Sequence, residues 1–179
     1  MRRIPVLPRS AAALLLAMST VAGAGVGAAP AAAAPQQPDR LGSLTASAYT
    51  LTQAEAYDDQ SGTQTEPTTD VGGGFDVGYI TPGDWIAFDL DFGPSSPASV
   101  MARIASGSVV SGTIRWRLDS PTGPAFATTL SFPTGGWQTW KTAPADITLP
   151  TTGVHRVYLT FTGASGVDLV NVNWFQFNP

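Results

Sequence analysis

The chain has no cysteine and a single histidine, His155. The first absence excludes a disulfide framework and a thiolate metal centre. The second excludes a zinc cluster of the usual kind, and no serine sits in the G-x-S-x-G elbow that a Ser-His-Asp arrangement of the hydrolase type uses. His155 falls in phase with the apolar face of a predicted strand, which is a structural position. The glycines at 72–74 lack the Lys and the helix of a phosphate-binding loop. Basic residues are also scarce. Setting aside Arg2, Arg3 and Arg9 leaves six Lys and Arg against thirteen Asp and Glu, a net charge of −7. Such a surface repels nucleic acid and anionic lipid and suits a neutral partner. Helical periodicity of useful length is missing after residue 40, so the fold must be built from strands.

Two of those three arginines open the chain, and the third precedes an apolar run and a small-residue stretch, AAPAAAAP. This is the layout of a secretory signal peptide, with cleavage near Ala33 or Ala34. A membrane anchor is the competing reading, but the apolar core is short and diluted by Gly, Ser and Thr. Residues 1–34 are therefore read as signal peptide, 35–46 as a disordered leader, and 47–179 as one domain, exported and extracellular.

Within the domain, short alternating segments stand between Gly/Pro/Ser/Thr clusters such as FGPSSP, SPTGP, PTGG and TGASG. That pattern predicts an all-β sandwich of two antiparallel sheets. Ile86, Phe88 and Leu90 share one face of a strand; Ile114, Trp116 and Leu118 another; Val157, Leu159 and Phe161 a third. Further strands are expected over Thr50–Tyr57, Val100–Ala105, Ala125–Phe132, Thr139–Leu149 and Leu169–Phe177. Asp58 and Asp59 read as a turn.

Three aromatics stand out. Trp85 lies on the polar side of its strand, either as an open platform or under a loop. Trp137 follows two glycines and Tyr79 lies in another Gly-rich stretch, where burial is harder; a core role for Trp137 is the alternative. Flat exposed rings cover the C–H face of a pyranose, and nearby Asn, Gln, Asp or Glu pair its hydroxyls. Trp116, Trp140 and Trp174 read as structural. Gln53 and Glu55, two apart, offer oxygens for a hard cation, or are two polar residues on a solvated face. Glu55 and Glu66 are the only glutamates. A glycosidase generally sets two carboxylates about 5–9.5 Å apart, one with a raised pKa. Even with Asp84 beside Trp85, an open sheet face gives little desolvation for that, so no catalysis is expected.

The stretch QAEAYDDQSGTQTEPTTDVGGGFDVGYITPGDWIAFDL, followed by RLDSPTGP, GGWQTW and NVNWFQF, resembles the family 6 carbohydrate-binding modules from about Leu51 to Phe177. The resemblance implies a β-jelly-roll sandwich with two sugar sites. The loop site would hold Tyr79 and Trp137 around a sugar ring, with Asn171 bonding its hydroxyls. A second site, on a sheet face, would use Trp85 as platform and Glu66 as carboxylate. The resemblance also implies a structural Ca²⁺ ligated by Gln53, Glu55 and Asn173, the last an amide where an acid is also found. The expected function is binding of β-linked polysaccharide of xylan or β-glucan type. A lectin-like envelope or cell-surface adhesin is the alternative, and a small glycoside hydrolase the least favoured reading. Expected partners are polysaccharide or oligosaccharide and separately secreted glycoside hydrolases, with no nucleic acid, no membrane after signal removal, and a monomeric chain.

Overall fold

The computed structural model describes residues 45–179. The predicted signal peptide, and the predicted leader apart from Thr45 and Ala46, lie outside those residues. Twelve strands and one short helical turn make up the described chain: β1 (Ala46–Ser47), β2 (Thr52–Gln53), a 3₁₀ turn (Ala54–Ala56), β3 (Asp59–Ser61), β4 (Gln64–Pro67), β5 (Phe75–Ile80), β6 (Trp85–Asp91), β7 (Ser99–Ser106), β8 (Gly112–Leu118), β9 (Ala125–Ser131), β10 (Gly136–Asp146), β11 (Val154–Thr162) and β12 (Val170–Asn178).

They form two sheets. The first runs β1-β6-β11-β8-β9 with β3 also on β6; the second runs β10-β7-β12-β5-β4 with β2 also on β12. All pairings are antiparallel except β1 with β6, which is parallel. From β5 to β8 and again from β9 to β12, each strand lies in the sheet opposite its predecessor. This crossing closes the sandwich predicted from the alternation. Period-two patterning decides which side chains fill it. Ile86, Phe88 and Leu90 of β6, Ile114 and Trp116 of β8, and Val157, Leu159 and Phe161 of β11 are all buried. From the second sheet come Val100, Ala102, Ile104, Phe175 and Phe177. At the centre, Phe177 packs edge-on to Phe92 and Trp116 at 5.1 and 5.5 Å between ring centroids. The Trp116 indole N–H donates to Thr129 Oγ1 at 2.9 Å, so its one polar group is satisfied inside the core.

Three expectations fail locally. Thr50–Tyr57 is not one strand: Thr52–Gln53 pair with β12 of the second sheet, the 3₁₀ turn follows, and Asp59–Ser61 pair with β6 of the first. This stretch crosses from sheet to sheet, and continuous strand geometry could not serve both. Asp59 is consequently a strand residue rather than a turn, and the Asp58 carboxylate accepts from the Asp89 N–H at 2.7 Å. Ala46, placed in the leader, is paired with Leu90 in β1.

His155 is structural. Its Nδ1 lies 3.1 Å from each Asp119 carboxylate oxygen and its Nε2 lies 3.1 Å from the Thr152 carbonyl oxygen.

Candidate functional site

Two β-bulges in the second sheet create the site. Ile80 pairs with Val170 and Val77 with Val172, so Gly78 and Tyr79 together oppose Asn171 alone. The extra residue bends β5 and re-aims its side chains. Tyr79 takes φ 56°, left-handed backbone that costs an L-residue about 1–2 kcal/mol. Its ring is half exposed, at 50%. On the far side of β7, Gly136 pairs with Ser106 and Lys141 with Ile104, so Trp137–Trp140 bow outward against Ala105. Trp137, read from sequence as a loop residue, therefore belongs to the irregular start of β10 and is 37% exposed. Gly107 gives its indole room: a Cβ there would sit 2.6 Å from Trp137 Nε1.

Asn171 joins the two bulges. It is 3% exposed, and its amide nitrogen donates to Glu66 Oε1 at 2.6 Å and to the Trp137 carbonyl at 3.1 Å. Both neighbours are acceptors, which fixes the amide orientation and leaves Oδ1 without a donor among the described residues. Gly78 lines this floor, since a Cβ on it would lie 3.0 Å from Asn171 Oδ1. Glu66, Tyr79, Trp137, Asp168 and Asn171 enclose a hollow of about 150 Å³. A larger hollow of about 750 Å³, beside Leu51, Gln53, Phe88 and Val154, includes no tryptophan or tyrosine in its lining, and we assign it no part in the site.

Glu66 is the main correction. The sequence reading grouped it with Trp85, but Glu66 is on β4 of the second sheet and Trp85 on β6 of the first. Glu66 belongs with Tyr79, Trp137 and Asn171. Trp85 instead packs edge-on against Tyr158, with centroids 5.2 Å apart. Asp84, considered as a partner carboxylate for Glu66, is committed to its own turn, accepting from Thr81 N at 2.7 Å and Thr81 Oγ1 at 3.0 Å.

Three residues around the site escaped the sequence reading. Gln138 donates to Asp76 Oδ2 at 2.9 Å and to Glu66 Oε1 at 3.3 Å, while its own oxygen accepts from Thr69 N at 2.8 Å. It thereby ties β10 to the β4–β5 hairpin; its place beside Trp137 was the available signal. Asp168 closes the hollow from the loop before β12. Asp76 is fully buried behind Glu66. Burial pushes its carboxyl up to about 6 against the opposing Gln138 bond, with Glu66 and Glu55 adding repulsion.

The predicted cation ligands are distributed unevenly. Gln53 is exposed on β2, and Glu55 lies in the 3₁₀ turn. Asn173 is 2% exposed and donates to Asp70 Oδ2 at 2.9 Å. Asp70 is gripped by Arg103 through two bonds of 2.8 and 2.7 Å, which hold its carboxyl down at about 2. Among the described residues, no three His, Cys, Asp or Glu side chains are placed as a metal cage. Three buried oxygens nevertheless have no donor: Glu55 Oε2, Asp76 Oδ1 and Asn173 Oδ1. Orphaned buried acceptors of this kind are costly, and an all-oxygen set suits Ca²⁺.

Residues 53–179 match the family described as carbohydrate binding module (family 6). An arabinoxylan arabinofuranohydrolase of Paenibacillus polymyxa is 41% identical over 135 residues, covering 73% of this chain and 21% of that protein. An endo-1,4-beta-xylanase A of Thermoclostridium stercorarium is 36% identical over 138 residues, 76% of this chain and 25% of its own length. The chain thus spans about a fifth to a quarter of these relatives. Among solved structures, a beta-1,3-glucan binding CBM6 from Bacillus halodurans superposes with a TM-score of 0.71 at 40% identity, over 75% of this chain and 99% of that one. A family 6 module from Clostridium cellulolyticum in complex with xylose gives 0.69 at 42% identity, over 74% and 99%. With its two-sheet sandwich and a match over most of its length, the chain belongs to family 6 of the carbohydrate-binding modules.

Proposed function

We propose that this domain binds neutral β-linked polysaccharide of xylan or β-glucan type at the hollow between Tyr79 and Trp137. The observation that carries the reading is two half-exposed rings raised on separate bulges around one fixed amide. A pyranose lies between the rings, its hydroxyls donating to Asn171 Oδ1 and to the Glu66 carboxylate. A relative that binds β-1,3-glucan and another in complex with xylose support both glycan classes. An open site with two rings and few polar contacts corresponds to dissociation constants of about micromolar to millimolar, or about −4 to −8 kcal/mol. Affinity electrophoresis through gels carrying xylan, arabinoxylan or β-1,3-glucan is expected to retard the protein in at least one. Equal mobility in all of them, with retardation only by bacterial envelope glycans, would favour the adhesin reading instead.

The chain itself is proposed to be non-catalytic and secreted. Asp76 has the raised pKa of a general acid but no surface with which to reach a substrate. Separately secreted glycoside hydrolases are the partners such a binder would serve.

A structural Ca²⁺ is proposed at Glu55 and Asn173, with Gln53 as a further oxygen donor. Bound there it would supply positive charge to acceptors that lack a donor. Chelation with EDTA is expected to lower the melting temperature by several degrees, with recovery on adding Ca²⁺ but not Mg²⁺, which is smaller, demands near-ideal octahedral geometry and gives up its water reluctantly. An unmoved melting curve would remove the assignment.

A further inference from the structure

Two carboxylates face one another on the outer side of the second sheet. Glu66 on β4 and Asp76 on β5 are register partners, and partners in an antiparallel ladder share a face. Like charges set directly opposite repel, and Asp76 is fully buried, where solvent screens it little.

The group that reconciles them comes from a third strand. Gln138 follows Trp137 in β10, and its side-chain nitrogen donates to Asp76 Oδ2 at 2.9 Å and to Glu66 Oε1 at 3.3 Å. The two hydrogens of one amide thus bridge the pair. The Gln138 oxygen accepts from the Thr69 N–H at 2.8 Å and from the Thr69 hydroxyl at 3.2 Å. Those donors fix which end of the amide meets the carboxylates. Thr68 adds a smaller side-chain bond to Asp76, so Gln138 is its main partner and not its sole one.

The effect is felt at Glu66. Its Oε1 accepts twice, from Asn171 at 2.6 Å and from Gln138 at 3.3 Å, whereas Oε2 accepts from no donor among the described residues. Two amides hold one oxygen of the carboxylate and leave the other for a ligand. A glutamate held this way has lost its rotamer freedom before a sugar arrives, so binding need not order it. Gln138 does not line the hollow, whereas Glu66 does. Any influence it has on a sugar therefore passes through Glu66.

We propose that Gln138 is the positioning residue of the sugar site, holding Glu66 with Oε2 free for a sugar hydroxyl and bridging it to the buried carboxylate behind. The inference rests on the reading of the hollow as the sugar site and adds to it a residue that no sugar touches. Methionine at 138 would fill the same space but donate to neither carboxylate. Asparagine would keep the amide but is one methylene too short to bridge both.

The test is a double-mutant cycle on the full domain, with affinity for xylo- or β-gluco-oligosaccharide read by NMR titration and circular dichroism checking the fold. Gln138→Met is expected to weaken binding about fivefold or more, and Gln138→Asn, the second variant should Gln138→Met not fold, by a similar factor. Glu66→Ala is expected to weaken it at least as much. In the Glu66→Ala background, Gln138→Met should change affinity by less than about twofold, because the group it positions is gone. A residue acting only through the fold would instead multiply its loss onto that of Glu66→Ala. Multiplied losses, a Gln138→Met protein that binds like the wild type, or an unaffected Glu66→Ala protein would each overturn the positioning role. Trp137→Ala separates this from the reading beneath it. If Trp137→Ala loses binding while those results go against Gln138, the hollow stands and the positioning role falls. If the wild type binds no oligosaccharide, or Trp137→Ala binds as tightly as the wild type, both fall together.

Discussion

Trp137→Ala is expected to reduce affinity for xylo- or β-gluco-oligosaccharides by at least about thirtyfold, to the edge of detection by titration calorimetry. Truncating a ring that anchors a small interface costs about 2 kcal/mol or more, and a weak open site has little else to hold the ligand. Tyr79 alone would cover one face of the sugar and leave the other in water. The variant is also clean. Asn171 is held by the Trp137 carbonyl and by Glu66, not by the indole, so the floor of the hollow keeps its geometry. The side chain is 37% exposed, so its loss should change the melting temperature little. Trp137→Phe should recover part of the affinity, because a smaller ring still presents a flat apolar face. Unchanged affinity in the alanine variant would mean that the sugar lies elsewhere.

The reason Trp137 and Tyr79 were legible is chemical, whereas their positions were not. Large aromatics beside glycine clusters point to open rings without any knowledge of the fold. Their placement on strands was hidden because period-two reading assumes a regular ladder, and both residues sit where the ladder is broken. The regular strands β6, β8 and β11 came through because each has one face buried, and burial imposes alternation. Glu66 shows the opposite case. β4 is four residues long, has no fully buried member, and so carries no hydrophobic pattern to announce it. Its bond to Asn171 spans 105 residues, and no local pattern carries that pairing. Two surfaces with aromatics were visible in the sequence; which carboxylate served which surface depended on topology. The segment Thr50–Tyr57 was misread for a related reason: only Thr52 and Gln53 pair within it, with the second sheet, before the chain turns to pair Asp59–Ser61 with the first.

Phe177→Ala is expected to have the largest effect on stability, a loss of about 3–5 kcal/mol. The side chain is fully buried and its ring meets four others, Phe92, Trp116, Phe126 and Phe175, at centroid distances of 5.1, 5.5, 5.8 and 5.9 Å. These neighbours come from both sheets, so no single strand can shift to fill the space left behind. Without cysteine there is no disulfide to restrain the unfolded chain, and a domain of this size has about 5–15 kcal/mol in all. The loss should reach the proposed sugar site as well, because Phe177 shares β12 with Asn171 and Asn173. Urea unfolding followed by tryptophan fluorescence would measure it, with Leu130→Ala, 63% exposed, as the comparison expected to stay within about 0.5 kcal/mol of wild type. Saturating oligosaccharide should raise the midpoint of the Phe177→Ala protein, since a ligand that binds only the folded form stabilises it by mass action. A midpoint shift worth less than about 1 kcal/mol would mean that the aromatic cluster does not clamp the two sheets together, and the rigid floor required beneath Asn171 would need another source.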